Sequence, residues 1–206
     1  MFSQLKLKHL TKEEIFMSDE KKVGDPTALG LFAYGIALTL LATVIGGFAG
    51  PFNGLILGTI IFTGGVGLVL AGIYDFMRGS AFGGAAFTGY GLLFLTVSTF
   101  FIATVVTKSA AGPAPMFGGW FHLLWAIFAF ATFFGANVLK KWVMLQIALF
   151  TTGAFLLIQA IGLFTGSLAG LLPVVGIVGI VSGLCAVYTA IAVLINGAAE
   201  KTVLPA

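Results

Sequence analysis

The sequence predicts an all-α, polytopic membrane protein with six transmembrane helices and both termini in the cytoplasm. Three observations predict it. From Pro26 to Tyr74 the chain holds no Asp, Glu, Lys or Arg, a run long enough for two passes through a bilayer. Hydrophobic residues make up 59% of the chain and charged residues only 8%, more apolar surface than a soluble domain could hide. The basic residues, finally, fall unevenly between the two ends of the apolar stretches.

A span needs about 20 apolar residues to cross roughly 30 Å of hydrocarbon. Six stretches qualify, near residues 28–48, 54–74, 85–106, 117–138, 142–164 and 169–195. Backbone groups in lipid must be satisfied internally, and these segments are too long and too little alternating for barrel strands, so they are helices. The first two are joined by Gly46-Gly47-Phe48-Ala49-Gly50-Pro51-Phe52-Asn53-Gly54, and the fourth follows Ala111-Gly112-Pro113-Ala114-Pro115. Pro173 lies within the sixth and removes a backbone donor, which predicts a kink or a helix start near it.

Lys6, Lys8, Lys12, Lys21, Lys22, Arg78, Lys140, Lys141 and Lys201 fall on one side of this arrangement and Lys108 alone on the other. The positive-inside rule then places both termini in the cytoplasm of a multi-pass protein of the cell membrane. The domain reading is residues 1–24 as a cytoplasmic tail, 25–199 as one six-helix transmembrane domain and 200–206 as a cytoplasmic tail. Residues 1–16 differ from the rest. Lys12-Glu13-Glu14 before Met17 also fits a translated ribosome-binding site, so a native start at Met17 stands beside a genuine amphipathic or disordered tail.

Several function classes drop out. The net charge of +3 reports topology, and no basic cluster argues for nucleic acid. With only His9 and His122, paired-histidine haem ligation and multi-histidine metal sites are unavailable, and no metal or other cofactor is expected. Cys185 is the single cysteine, which excludes an intramolecular disulfide. No Walker A loop, GxSxG elbow or HExxH occurs, so catalysis would have little acid-base equipment and the chain reads as no enzyme.

Small residues recur at helical spacing: Gly35, Thr39, Thr43 and Gly47 in the first span, Thr59, Thr63 and Gly67 in the second, Gly179 and Gly183 in the sixth. Such stripes let helix backbones approach closely. Hydroxyl-bearing stripes on several helices equally fit a solute path, for which Thr39, Thr43, Thr63, Thr88 and Gln159 are candidate lining residues.

Ionisable groups near the membrane are Asp25, Asp75 and His122. Charge is costly there, which makes each a functional candidate, and Asp75 and His122 are candidates for a proton-linked role. The structural alternatives are a solvated cap at Asp25 and Asp75 or a pairing of Asp75 with Arg78, and an interfacial hydrogen bond at His122 beside Trp120, Phe121 and Trp125. Deeper polar groups are Tyr34, Tyr90, Gln146, Thr152 and Gln159. Thr152 and Gln159 share a helix face, and Tyr90 between Gly89 and Gly91 is expected to have room to project.

Asp25-Pro26-Thr27-Ala28-Leu29-Gly30-Leu31 at the mouth of the first span resembles the Asn-Pro-Ala-Pro-Leu-Gly-Leu signature of the acetate and succinate transporter (AceTr) family. Gly64-Gly65, Ala71-Gly72, Phe82-Gly83, Ala86-Phe87-Thr88-Gly89-Tyr90-Gly91 and the Thr202-Val203-Leu204-Pro205 ending match as well. The resemblance implies a six-helix protomer in a homohexamer, each protomer carrying small carboxylates by proton symport or as an anion channel. It implies a constriction at Tyr34, Tyr90 and Thr152. Three departures stand out: Thr152 where a leucine is familiar, Leu68 for a glutamine, and Asp25 for the signature Asn, which adds negative charge at an anion entrance. An ammonium-linked or other small-solute channel, or a membrane sensor or scaffold, remains the alternative.

Overall fold

The computed structural model describes residues 24–107 and 114–205. The N-terminal lysines, His9, the start at Met17, Lys108 and the Ala111-Gly112-Pro113 turn lie outside the described residues. Six helices are long and apolar enough to span a membrane: α1 Thr27–Ile45, α2 Gly54–Met77, α3 Ala81–Thr107, α4 Pro115–Val138, α5 Val143–Thr165 and α6 Leu168–Ala199. No strand occurs among the described residues.

Local chemistry sets the helix ends. The Asp25 carboxylate accepts from the Thr27 amide at 2.9 Å and opens α1. Asn53 accepts from the Leu55 and Ile56 amides at 3.0 and 3.2 Å and opens α2. Pro115 occupies the first turn of α4, where its missing donor costs nothing. Gly166 ends α5 in the left-handed conformation. α1 stops at Ile45, short of the expected 48, because Gly46 and Gly47 turn the chain, with Gly47 at φ 77°. α6 starts at Leu168, within a turn and a half of Pro173, and continues through it.

α2 departs from the simple helix that the sequence predicts. Between α-helical ends at Gly54–Gly58 and Leu68–Met77, residues Thr59–Gly67 wind as a π-helix. Gly64 faces Ala37 and Phe94, and Gly65 faces Leu95, so the wide turns lie where α2 meets α1 and α3 without intervening side chains. α2 also runs past the expected end at 74, which takes Asp75 into the helix.

α1 makes its most extensive contact with α6, α5 packs between α4 and α6, and α2 covers α1 and α3, whereas α3 and α4 barely touch through their backbones. Glycine explains the tightest contact. A Cβ on Gly183 would meet the Gly35 carbonyl oxygen at 2.7 Å and the Thr39 nitrogen at 2.8 Å, and one on Gly176 would meet the Ala42 carbonyl oxygen at 2.9 Å. The obstacles are backbone atoms, which cannot step aside. Thr39 Oγ1 and Thr88 Oγ1 are enclosed without a hydrogen-bond partner at such contacts, Thr39 against Gly183 and Thr88 against Gly72. Other hydroxyls turn back on their own helix: Thr96, Ser98, Thr99 and Thr151 each donate to the carbonyl four residues earlier. Large side chains such as Leu55, Phe62, Leu124 and Phe134 point outward, as a lipid-facing surface requires.

Gly183→Val is therefore expected to lower the melting temperature in detergent, at a cost of about 1–3 kcal/mol from overpacking. Gly197→Ala, with nothing within 4 Å of the added carbon, is expected to stay within about 0.5 kcal/mol of the parent.

Candidate functional site: two cavities meeting at a hydroxyl-lined constriction

Two cavities enter the helix bundle from opposite ends. One, of about 430 Å³, opens where Arg78 and Lys141 lie, and is also lined by Asp25, Thr27, Asp75 and Ser80. The other, of about 460 Å³, opens at the far end and is almost wholly apolar, its polar lining being Tyr34, Tyr90, Thr96, His122, Thr152 and Gln159. Tyr34 and Tyr90 line both. Their ring centroids are 5.2 Å apart, and both residues are buried. α1, α3 and α5 supply most of the walls.

Donor counting describes the constriction. Thr152 Oγ1 donates to the Ala148 carbonyl at 2.7 Å, and Ser182 Oγ donates to the same oxygen at 2.8 Å. The Tyr34 hydroxyl contacts Thr152 Oγ1 and, at 3.2 Å, Ser182 Oγ. Thr152 Oγ1 and Ser182 Oγ also lie 2.8 Å apart, so Tyr34, Thr152, Ser182 and the Ala148 carbonyl form one hydrogen-bonded cluster in which every hydroxyl has a protein partner. On the other side, Thr132 Oγ1 donates to the Ala129 carbonyl at 2.8 Å, so the Tyr90 hydroxyl donates to Thr132 at 2.8 Å. Both phenol hydroxyls have hydroxyl partners within the protein, and the two rings face each other between the cavities.

Tyr90 carries a second load. Its ring meets Phe128 at 5.2 Å between centroids, and its hydroxyl reaches Thr132, so it ties α3 to α4 where their backbones hardly meet. The flanking glycines do not make room for the tyrosine itself, contrary to the sequence expectation. Gly89 receives the Phe128 ring, and Gly91 lets Val69 and the Gly65 carbonyl approach, so each serves a neighbouring helix.

The structure brings Tyr34, Tyr90, Thr152, Gln159 and His122 into the far-end cavity and Asp25, Leu31 and Asp75 into the basic-end cavity. Thr39, Thr43, Thr63 and Thr88 line neither. Gln159 bonds the Phe155 carbonyl at 3.2 Å, and the His122 Nδ1 lies 2.7 Å from the Gly118 carbonyl one turn earlier on the same helix. Leu68 is fully buried away from both cavities. In the opening motif, Gly30 accommodates the Phe87 ring while Leu29 faces outward. Asp75 is not a solvated end residue, being 4% exposed. Nor is Asp25 an uncompensated charge. Arg78 Nη1 lies 2.6 Å from Asp25 and 3.4 Å from Asp75. Burial works to raise the Asp25 pKa, but the Thr27 bonds and Arg78 outweigh it and hold the carboxyl below its ordinary value.

Ser182, Thr132 and Lys141 were not singled out as site residues by sequence reasoning. Ser182 could have been found, since it precedes the second glycine of the Gly179/Gly183 pair. Thr132 carries no such signal.

The profile of the GPR1/FUN34/yaaH family matches residues 9–206. The succinate-acetate/proton symporter SatP of Escherichia coli (strain K12) is 33% identical over 185 residues, covering 89% of this chain and 95% of that protein. The acetate transporter protein patA of Penicillium expansum is 32% identical over 129 residues, 57% of this chain and 49% of that one. Among solved structures, that of the bacterial acetate channel SatP matches with a TM-score of 0.82 at 32% identity, over 89% of this chain and 99% of the other.

Ser182→Ala removes one donor to the Ala148 carbonyl but leaves the Tyr34–Thr152 pair and its acceptor in place. The expected cost is about 0.5–1.5 kcal/mol, read as a modest drop in melting temperature.

Proposed function

Because this chain belongs to the GPR1/FUN34/yaaH family, we propose that it carries acetate, and succinate or other short carboxylates, across the cytoplasmic membrane through a path within each protomer. The observation that supports this reading best is the meeting of two opposed cavities at Tyr34 and Tyr90, with Thr152 beside them. The role is passage of a solute, and the chain's own residues bind and orient it without chemical change.

The basic-end cavity is the cytoplasmic mouth by the positive-inside rule. A carboxylate enters an antechamber with Arg78 and Lys141 in its walls. It then loses water between Tyr34 and Tyr90, where desolvation of a charge is the main barrier. A phenol that swings from Thr152 or Thr132 to the carboxylate compensates part of that loss. Beyond the constriction the wall is apolar, with Thr152, Gln159 and His122 as the stepping points. No Lys or Arg lies along it, so binding stays weak enough for exit. Proton coupling, where it operates, is assigned to Asp75 and His122 on either side of the constriction. The outward-facing apolar side chains of α2 and α4 suit a ring of six protomers as well as lipid.

Labelled acetate is expected to enter proteoliposomes containing the protein, faster with an inward proton gradient if protons are coupled. A scaffold gives no flux, and an ammonium-linked channel conducts without carboxylate. Tyr90→Phe is expected to reduce flux or alter substrate preference, because a hydrogen bond to a charged group is worth about 1.5–3 kcal/mol, roughly 10- to 150-fold in binding. Thr152→Leu is expected to slow succinate more than acetate, since two carboxylates must then shed water past an apolar gate. Normal flux of both acids in both well-folded variants would remove these residues from the path.

A reporter fused after Lys201 is expected to read as cytoplasmic, and native mass spectrometry in mild detergent to find six copies. An external reporter or an active monomer would refute the respective expectation.

A further inference from the structure

We propose that Arg78 takes the carboxylate of the transported anion at the cytoplasmic mouth, and that Asp25 competes with that anion for the same guanidinium. This rests on the carboxylate-transport reading and assigns to it a capture site distinct from the constriction.

The guanidinium is only partly used. A guanidinium offers five N–H donors in a planar fork. In this structure Asp25 and Asp75 are both met by Nη1, at 2.6 and 3.4 Å. Nε and Nη2 have no partner among the described residues. Those two nitrogens form the edge that accepts a carboxylate through two parallel bonds. Arg78 lines the basic-end cavity, and its side chain is 31% exposed, so an anion arriving from solution reaches it.

The three charged partners differ in what they can yield. Asp75 is 4% exposed and sits against Gly83, where any side chain would strike its carboxylate, so it is fixed as the buried anchor of the arginine. Asp25 has a side chain 55% exposed, lies before the first turn of α1, and already has a second bond to the Thr27 amide. It can release Arg78 without being left buried and unpaired. Lys141 stands in the same cavity, and with it the lining carries two cations and two carboxylates. A balanced mouth holds an anion without trapping it, which a passage needs.

The consequence is a sign that a merely structural ion pair would not produce. Removing the Asp25 charge should tighten anion binding, because the carboxylate that competes for Arg78 is gone. Removing Arg78 should weaken it. With both changed, the Asp25 effect should vanish, since it acts only through Arg78.

The experiment titrates acetate against the detergent-purified full-length protein by saturation-transfer NMR, with flux in proteoliposomes recorded in parallel. Arg78→Gln is expected to weaken acetate binding at least roughly tenfold. Asp25→Asn is expected to tighten it roughly two- to fivefold, the size of effect an exposed pair supports. The double variant should match Arg78→Gln. Should Arg78→Gln fail to fold with Asp75 left unpaired, Asp25→Asn decides alone, and Arg78→Lys, which keeps a cation without the fork, should bind more weakly than the parent. Unchanged acetate binding in folded Arg78→Gln, unchanged or weaker binding in Asp25→Asn, or no saturable acetate binding by the parent overturns the proposal. Binding with the expected signs but no flux overturns the transport reading instead and leaves Arg78 as an acetate site.

Discussion

The backbone-to-backbone approach of α1 and α6 is the constraint on which the rest of the helix bundle depends. Gly35 and Gly183 meet with no side chain between them, and the residues that precede them are Tyr34 and Ser182. The glycine contact that joins the helices thus also fixes how far the phenol reaches toward the hydroxyls of Thr152 and Ser182. In a bilayer this contact cannot come from the hydrophobic effect, because lipid tails are as apolar as the side chains they would replace. Shape and close packing supply it. The helices that hold the constriction are therefore placed by the smallest residues in the chain.

The same absence of water explains why the constriction is self-satisfied. A phenol in hydrocarbon-like surroundings must find an acceptor, and Tyr34 and Tyr90 each find a threonine already anchored to a carbonyl of its own helix. On the proposed path, the constriction is closed by saturation of its hydrogen bonds as well as by ring volume. Opening it involves exchange of one partner for another, with no polar group bared to the membrane. At the basic end the logic is reversed, because solvent reaches it and charge can be spent there: Arg78 balances a buried and an exposed carboxylate and keeps donors in reserve. The two ends thereby differ in chemistry, one ionic and one nearly apolar.

Much of the fold was legible because hydropathy reports directly on what lies in lipid. All six spans were found from the sequence, with differences at their ends: the first stops at the Gly46-Gly47 turn, the second continues past Asp75, the third starts at Ala81 and the sixth runs to Ala199. The π-helical stretch of α2 was not legible. Its glycines were visible, but no local pattern encodes the wide winding that accompanies their contact with α1 and α3. The candidate site divided along the same line. Tyr34, Tyr90 and Thr152 came from the family resemblance and do cluster, whereas the threonine stripes pointed equally to packing and to a pore. Thr39 and Thr88 lie at helix contacts because a hydroxyl is small enough to sit against a glycine. Spacing shows which face a residue occupies, but not whether that face meets a helix or a cavity.

A path through the protomer requires that its two halves be open to opposite sides of the membrane. Single cysteines placed at Val97 in the outer cavity and Leu145 in the inner one, in a Cys185→Ala background, test this directly. A membrane-impermeant thiol reagent should modify the Val97 position only from outside and the Leu145 position only from the cytoplasmic side, with acetate slowing both reactions. Modification of both positions from the same side, or of neither from any side, would contradict a path that meets at Tyr34 and Tyr90.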